Sequence, residues 1–339
     1  MATQRSALLR VLYDNIPNAE KVIRAGAEVT GIERTEEGVK VHLADGTFEA
    51  GSIVIGADGA YGVTKTHIQE VMAETGTSTA SPDNEVPTSA TFYSIFGEGP
   101  NTTGIKAGIF YETRDTGRGS QMGTNGRMMR LVVYKKLPRP TARVRYTAEE
   151  MEEVAEACSD LMVAPGVTLG DIWPDINKTS ARLVSQYEGF AGRWHTDRVV
   201  LAGDAAVVMS SVNALGVNCG LHSTAVLANE LHDVVSSTGG TSPPSPEALE
   251  AAFARYQKIR ERGLRRIWDF GRMRLRQLTW DSWRDWFMDR HLMRWVANGE
   301  ADRQKFVYPM VRNGQILSYV PFEEVEAPMA WRWNPQASL

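Results

Sequence analysis

"RVVLAGDAAVVMSSVNALGVNCGLHSTAVLANEL", residues 198–231, is the stretch that decides the fold. Its first half is an apolar run that ends in Gly-Asp-Ala, which is typical of a buried strand. Its second half has helical spacing and begins near Gly216, after a short loop. A strand that ends in an aspartate, followed by the start of a helix, presents a carboxylate and backbone N–H groups to a polar ligand. The pattern therefore favours a cofactor-type site over a structural turn.

A second strand and turn occur earlier in the chain, in "IVIGADGAYGVTK", residues 53–65. A buried strand runs into Gly56, and the glycines that follow let the backbone pass close to a ligand. Asp58 can accept hydrogen bonds from a ribose or from water, or it can cap the helix that begins just after it. A tight turn without any ligand fits the same residues, so both interpretations stay open at this point.

Composition excludes several classes of function. The 339 residues are 42% hydrophobic and 23% charged, with a net charge of −4, which is ordinary globular composition and argues against a nucleic-acid partner. The two cysteines lie far apart and the six histidines show no ligand spacing, so we expect no disulfide framework and no metal site. No apolar run is long enough to span a membrane, which predicts a soluble, cytoplasmic protein.

Hydrophobic periodicity predicts a mixed α/β fold. Helical spacing over residues 4–15 is followed by alternating strand patterns, and short strands between glycine-rich turns predict an antiparallel sheet over about 85–137. After the Gly-Asp-Ala strand the pattern is mostly helical, and the basic residues in 258–278 are interpreted as a solvated helix face. We expect four regions: a partial cofactor-binding subdomain (1–84), a substrate-binding sheet (85–190), a return to the cofactor-binding subdomain (191–235), and a C-terminal helical region with an extended tail (249–339).

The two motifs, "IGADGAYG" and "RVVLAGDAAVVM", resemble those of the class A flavoprotein monooxygenases of the aromatic-hydroxylase type. The nearest resemblance is to fungal secondary-metabolite members that epoxidise or hydroxylate prenylated substrates. The helix "QRSALLRVL" is similar to the Arg-x-x-Leu helix of that family. The resemblance implies a truncated FAD-monooxygenase-like fold, with a partial parallel sheet, an antiparallel substrate sheet and C-terminal helices.

The resemblance also implies a set of site residues. The cofactor-binding candidates that it places beside the flavin are Arg5, Asp58, Gly59, Gly203, Asp204, Gly216, Val217 and Asn218. Tyr111, at a strand end in the expected substrate sheet, is a candidate catalytic residue, although a half-exposed strand tyrosine without a catalytic role fits the same position.

The chain departs from the family pattern in ways that predict weak or absent FAD binding. The family opens with a βαβ unit carrying GxGxxG, and these 339 residues contain no such motif in that setting. Around the two motifs the family's usual polar, proline and glycine positions read Val207, Ser211 and Ala214, and its usual serine and arginine read Gly62 and Lys65. A lost upstream exon and a truncated gene product both fit this pattern, and an uncovered sheet edge would favour self-association.

Three functions follow as expectations. The first is an FAD-dependent monooxygenase with NAD(P)H as reductant, which epoxidises or hydroxylates a small, apolar, prenylated substrate. The second is a cofactor-free isomerase or cyclase descended from that family, and the third is a non-catalytic remnant. The tryptophan-rich helices near residues 265–296 are interpreted as core packing, with contact to a membrane surface as the less favoured alternative.

Overall fold

The computed structural model describes residues 5–76, 85–237, 239, 243–293 and 314–321. The chain divides into two compact units, Met1–Val54 and Ile55–Leu339. The four regions expected from the sequence stay a prediction.

The first unit is built from two helices and an antiparallel three-stranded sheet. Alternating apolar residues form the strands, and the turns between them fall where glycines follow acidic residues. Arg24, which precedes the sheet, stabilises it: its guanidinium donates to Asp45 at 2.6 Å and to Glu49 at 3.0 Å. The elements are α1 (Arg5–Asp14), α2 (Ala19–Val22), β1 (Val29–Arg34), β2 (Val39–Leu43) and β3 (Phe48–Gly51).

A six-stranded antiparallel sheet dominates the second unit and confirms the antiparallel sheet that the sequence predicts. It is wider than the predicted segment, since strands from beyond residue 180 join it. Its strands are β5 (Val86–Pro100), β6 (Phe110–Asp115), β7 (Arg118–Thr124), β8 (Met128–Thr141), β11 (Arg182–Phe190) and β14 (Val207–Val208), in the spatial order β14-β11-β5-β8-β7-β6.

Two smaller sheets and six helices complete the described part of this unit. The strands that end in the two sequence motifs are neighbours, because β4 (Val54–Gly56) and β13 (Val199–Leu201) lie in one sheet with β12 (His195–Thr196). β9 (Met162–Ala164) and β10 (Val167–Thr168) form a separate hairpin. The helices are α3 (Val63–Thr75), α4 (Ala148–Glu156), α5 (Leu169–Ile172), α6 (Gly216–Ser237), α7 (Pro246–Leu278) and α8 (Trp283–Phe287).

The two faces of the large sheet pack against different elements. Strand alternation sends Ile95, Met122 and Leu131 into a core shared with α4, α5 and β9. The opposite face carries Phe92 and Tyr134, which pack against Val212 and the C-terminal end of α7. We call this second side the loop face, because it meets the turn formed by residues 211–213.

The arginines of α7 are used differently from the solvated face that the sequence suggested. Arg260 is buried, with only 7% of its surface exposed, and donates to the Ser223 hydroxyl and to a backbone carbonyl. Arg272 and Arg276 both pair with Glu188, which is 8% exposed, on strand β11. Arg274 pairs with Glu112 on β6 at 2.6 Å. The interpretation as a solvated face is therefore wrong for these four residues, since most of them attach the helix to the sheet.

Candidate functional site

The Gly-Asp-Ala motif forms a turn at the end of β13. Gly203 has φ of 60°, in the left-handed region that favours glycine, and nothing lies within 4 Å of the position a Cβ would occupy there. Asp204 follows in a 3-10 turn, with its side chain exposed. The Ala202 N–H donates to the Gly56 carbonyl at 2.8 Å, which fixes this strand end beside the other motif. The turn therefore presents the Asp204 carboxylate on an open surface.

In the Asp58 motif, the aspartate is bonded by the helix that follows it. The Asp58 carboxylate accepts hydrogen bonds from the Thr64 N–H at 2.9 Å and from its hydroxyl at 2.8 Å, at the start of α3. A Cβ on Gly62 would lie 2.0 Å from the Asp58 carboxyl carbon, and one on Gly56 would lie 2.3 Å from the Thr64 methyl group. Of the roles that the sequence left open for Asp58, the structure favours the helix cap. The neighbouring Gly59 has φ of 83° and serves the turn.

The helix start that follows the Asp204 turn is open. Ala214, in the left-handed region at φ of 52°, turns the chain into α6. The first backbone N–H groups of a helix have no partner within it, and in α6 these belong to Gly216, Val217 and Asn218. Nothing lies within 4 Å of a Cβ placed on Gly216, and Val217 is 57% exposed. This end of α6 can therefore approach a ligand closely and donate to it.

A buried hydrogen-bond network joins the turn at 211–213 to the loop face of the sheet. The Gln186 side-chain oxygen accepts from the Ser211 N–H at 2.8 Å and from its hydroxyl at 2.9 Å. The amide nitrogen of Gln186 donates to the Ser94 hydroxyl at 2.5 Å. Ser94 and Gln186 are both buried. A buried amide without hydrogen-bond partners lowers the stability of the fold. These bonds therefore fix the turn in one position.

A second pair of side chains holds the next residue of the turn. The Gln121 amide donates to the Val212 carbonyl at 3.0 Å, and Tyr134 donates to the Gln121 oxygen at 3.1 Å. Burial raises the pKa of Tyr134, so its phenol stays protonated and able to donate. Sequence reasoning missed this network. Its one visible signal is a set of polar residues at inward positions of otherwise apolar strands.

The remaining predicted residues lie apart from this network. Tyr111 is half-buried and packs against the core that contains Met122, on the opposite side of the sheet from the loop face. This placement argues against the predicted catalytic role, because strand alternation turns the side chain away from the 211–213 turn. Arg5 is an exposed residue at the start of α1 in the first unit, and its contact with a flavin stays a prediction.

Other features of the second unit bear on the site in limited ways. Both cysteines are buried and free. In the described part of the chain, no group of three or more His, Cys, Asp or Glu side chains could hold a metal ion, and no helix there is long and apolar enough to cross a membrane. A separate cleft of about 660 Å³ contains none of the predicted site residues and is lined by His195, Ala254, Gln257, Lys258, Glu261, Arg262, Arg265 and Arg266.

Comparison with known proteins gives one consistent family. The FAD binding domain family matches residues 2–243. The FAD-dependent monooxygenase srdH of Neurospora crassa is 39% identical over 96% of this chain, and the FAD-dependent monooxygenase DEP2 of Fusarium langsethiae is 28% identical over 97%. The chain spans 75% of the length of the first and 63% of the second. HpxO of Klebsiella pneumoniae, solved with FAD and uric acid, has the same fold at 16% identity, with a TM-score of 0.66 over 88% of this chain and 71% of its own.

Proposed function

This chain belongs to the FAD binding domain family, and we propose that it holds the flavin half of FAD between the Asp204 turn and the start of α6. The observation that carries the proposal is the open cradle at these two places. Apart from chain neighbours, nothing lies within 4 Å of a Cβ position on Gly203 or on Gly216, and Asp204, next to Gly203, is exposed. A carboxylate and a row of helix N–H groups suit the hydroxyls and the electron-rich edge of a flavin.

The chain's own residues would bind and orient the group. Asp204 would accept from the ribityl hydroxyls, and the N–H groups of Gly216, Val217 and Asn218 would donate to the ring. The 211–213 turn, held by Gln186 and its partners, would give the bound group a rigid wall. Bound FAD supplies the redox chemistry of the family, with NAD(P)H as the reductant and dioxygen as the oxidant.

We further propose a small, apolar, prenylated substrate of a secondary-metabolite pathway, which is epoxidised or hydroxylated over the loop face. Phe110 is 63% exposed, and its ring lies 3.4 Å from a Cβ position on Gly123, two residues along β7 from Gln121. Met128, also exposed, lies on the same face by alternation from Tyr134. Exposed apolar side chains beside a polar network suit an apolar ligand with one oriented end.

The 339-residue chain should hold FAD weakly. Affinity in this fold comes largely from the ADP half, through a glycine-rich turn and an acidic residue, and that motif is not in this sequence. The Asp58 carboxylate, already used as a helix cap, adds nothing to the remaining contacts. A few hydrogen bonds of about 0.5–3 kcal/mol each must offset an association cost of about 4 kcal/mol or more. We expect an affinity in roughly the millimolar to high-micromolar range.

The test is FAD titration of the purified chain by fluorescence quenching, beside its visible spectrum. Loss of the Asp204 charge in Asp204→Asn should weaken binding roughly tenfold or more. Asp233→Asn, an exposed aspartate near the other end of α6, is the matched control and should bind like the parent. Equal affinity in the parent and both variants would refute the proposed site. Colourless protein that converts a prenylated compound without NAD(P)H would instead support a cofactor-free isomerase or cyclase.

A further inference from the structure

The segment after α7 exposes an unusual amount of apolar surface. Five large apolar side chains occur within ten residues, on α8 and the π-helical turn Met288–Met293 that continues it. Trp283 is 72% exposed, and the other four are each at least 40% exposed. We call this the tryptophan patch, and its members are Trp283, Trp286, Phe287, Met288 and Leu292. A concentration of this kind marks an interaction site, because scattered single exposed residues are the norm elsewhere on a surface.

The two acidic residues of the same segment bond within the protein and are less exposed than the apolar side chains beside them, which reverses the usual pattern of a surface helix. Asp285 accepts from the Ser282 N–H and hydroxyl and so caps α8. Asp289 accepts from the Trp280 indole at 2.9 Å and pairs with Arg114 on β6, leaving 12% of its side chain exposed. Both carboxylates are therefore engaged by groups of the protein, while the apolar side chains are exposed.

The basic residues of the segment remain on the outer surface. Arg284 and Arg290 are both exposed, and each guanidinium lies within 6 Å of an indole ring, that of Trp283 and Trp280 respectively. Among the described residues, neither arginine forms an ion pair with a carboxylate. The outer surface thus combines tryptophan, other apolar side chains and positive charge, which complements an apolar layer edged with anions.

The patch is fixed to the body of the protein. Lys136 on β8 pairs with Asp281 just before α8, and Arg114 on β6 pairs with Asp289 within the segment. A capping box at Ser282 sets the start of α8. Two strands of the large sheet therefore hold the segment, so it presents a prearranged surface and needs little ordering to bind.

We propose that the tryptophan patch docks on the surface of a membrane that contains anionic lipids. Tryptophan and phenylalanine rings would enter the headgroup region, where amphipathic rings are favoured, and Arg284 and Arg290 would meet the lipid phosphates. The exposed apolar and basic side chains of the segment favour an anionic lipid surface as the partner. With both carboxylates engaged by the protein, the exposed arginines give the outer surface a positive charge, which an anionic lipid layer complements. The inference does not depend on flavin binding.

The experiment is sedimentation of the full chain with vesicles of phosphatidylcholine alone or with about one-third phosphatidylserine. We expect binding to the anionic vesicles that is at least tenfold stronger than to the neutral ones and that weakens with salt. The triple variant Trp283→Ser, Trp286→Ser, Phe287→Ser should lose binding at least tenfold. Phe48→Ser removes an exposed aromatic side chain from the first unit and should bind like the parent. Far-ultraviolet circular dichroism checks that every variant is folded.

The arginines give a second, independent readout. Arg284→Gln and Arg290→Gln should each lower binding to anionic vesicles about fivefold and leave binding to neutral vesicles unchanged. The proposal is overturned if the parent binds neither vesicle, or if the triple variant binds as well as the parent. It is also overturned if the parent self-associates in solution and the triple variant alone becomes monomeric, because the patch would then join two copies of the chain.

Discussion

Two turns follow neighbouring strands in this protein, and they have opposite character. The turn at Asp58 is filled by its own residues, because the carboxylate caps α3 and neither Gly56 nor Gly62 has room for a side chain. The turn at Asp204 is open, because the positions beside Gly203 and Gly216 are empty and the carboxylate is exposed. The sequence signal is nearly the same in both. What separates the structural turn from the candidate binding site is whether the space around the glycines is filled by the chain or open.

The largest expected effect on stability comes from a methyl group at Gly56, and the matched change at Gly216, at the start of α6, should have almost none. Gly56→Ala would place a Cβ 2.3–2.6 Å from the buried Thr64 side chain, and we expect a loss of about 2–3 kcal/mol in the free energy of unfolding. Gly216→Ala has open space around it and should change stability by less than about 0.5 kcal/mol. Urea denaturation measures both. Similar costs for the two variants would contradict the distinction between a closed and an open turn.

A smaller effect should come from the buried amide that holds the 211–213 turn. Gln186→Leu removes the acceptor for the Ser211 N–H and hydroxyl and the donor to the Ser94 hydroxyl, which should cost about 2 kcal/mol. Gln69→Leu, at an exposed position on α3, is the control and should stay within about 0.5 kcal/mol of the parent. If Gln186→Leu is as stable as the parent in urea denaturation, the turn is not held by this network.

Capping by Asp58 should be measurable as well. Asp58→Ala removes the acceptor for the Thr64 N–H and hydroxyl at the start of α3, and we expect a loss of about 1 kcal/mol. Thermal unfolding followed by circular dichroism measures the change. An unchanged midpoint would mean that the carboxylate is not needed by its own turn, and it would reopen the ligand role that the sequence allowed for Asp58.

Sequence patterns recovered the elements of the fold better than the use of its polar residues. The strands before both motifs and the helix from Gly216 are visible as local periodicity or short local signals. Capping by Asp58 is one of the roles that the sequence leaves open, but choosing between the cap and a ligand needs the folded turn, because the contact with Thr64 spans six residues. The pairing of Gln186 with Ser211 and Ser94 joins residues up to 92 positions apart. No local sequence pattern predicts a contact over that separation.

The smallest expected effect is on the pH dependence of stability near the open turn. Burial, and secondarily the charge of Arg260, lowers the pKa of His222 on α6 below its ordinary value of 6.5. Below about pH 6.5 the unfolded chain therefore binds a proton that the folded chain resists, so His222 removes stability as the pH falls through that range. His222→Gln should lose less stability than the parent between pH 7 and 5 in urea denaturation. Parallel curves for the two proteins would contradict the assigned direction.

Amide hydrogen exchange with and without FAD tests the contrast between the two turns most directly. At saturating FAD, we expect slower exchange in peptides covering residues 211–219, because the N–H groups of Gly216, Val217 and Asn218 gain an acceptor. Peptides covering residues 56–65 should exchange at the same rate in both samples, because the Thr64 N–H in that turn already has the Asp58 carboxylate as its acceptor. Protection at 56–65, or its absence at 211–219 while FAD is bound, would contradict the account.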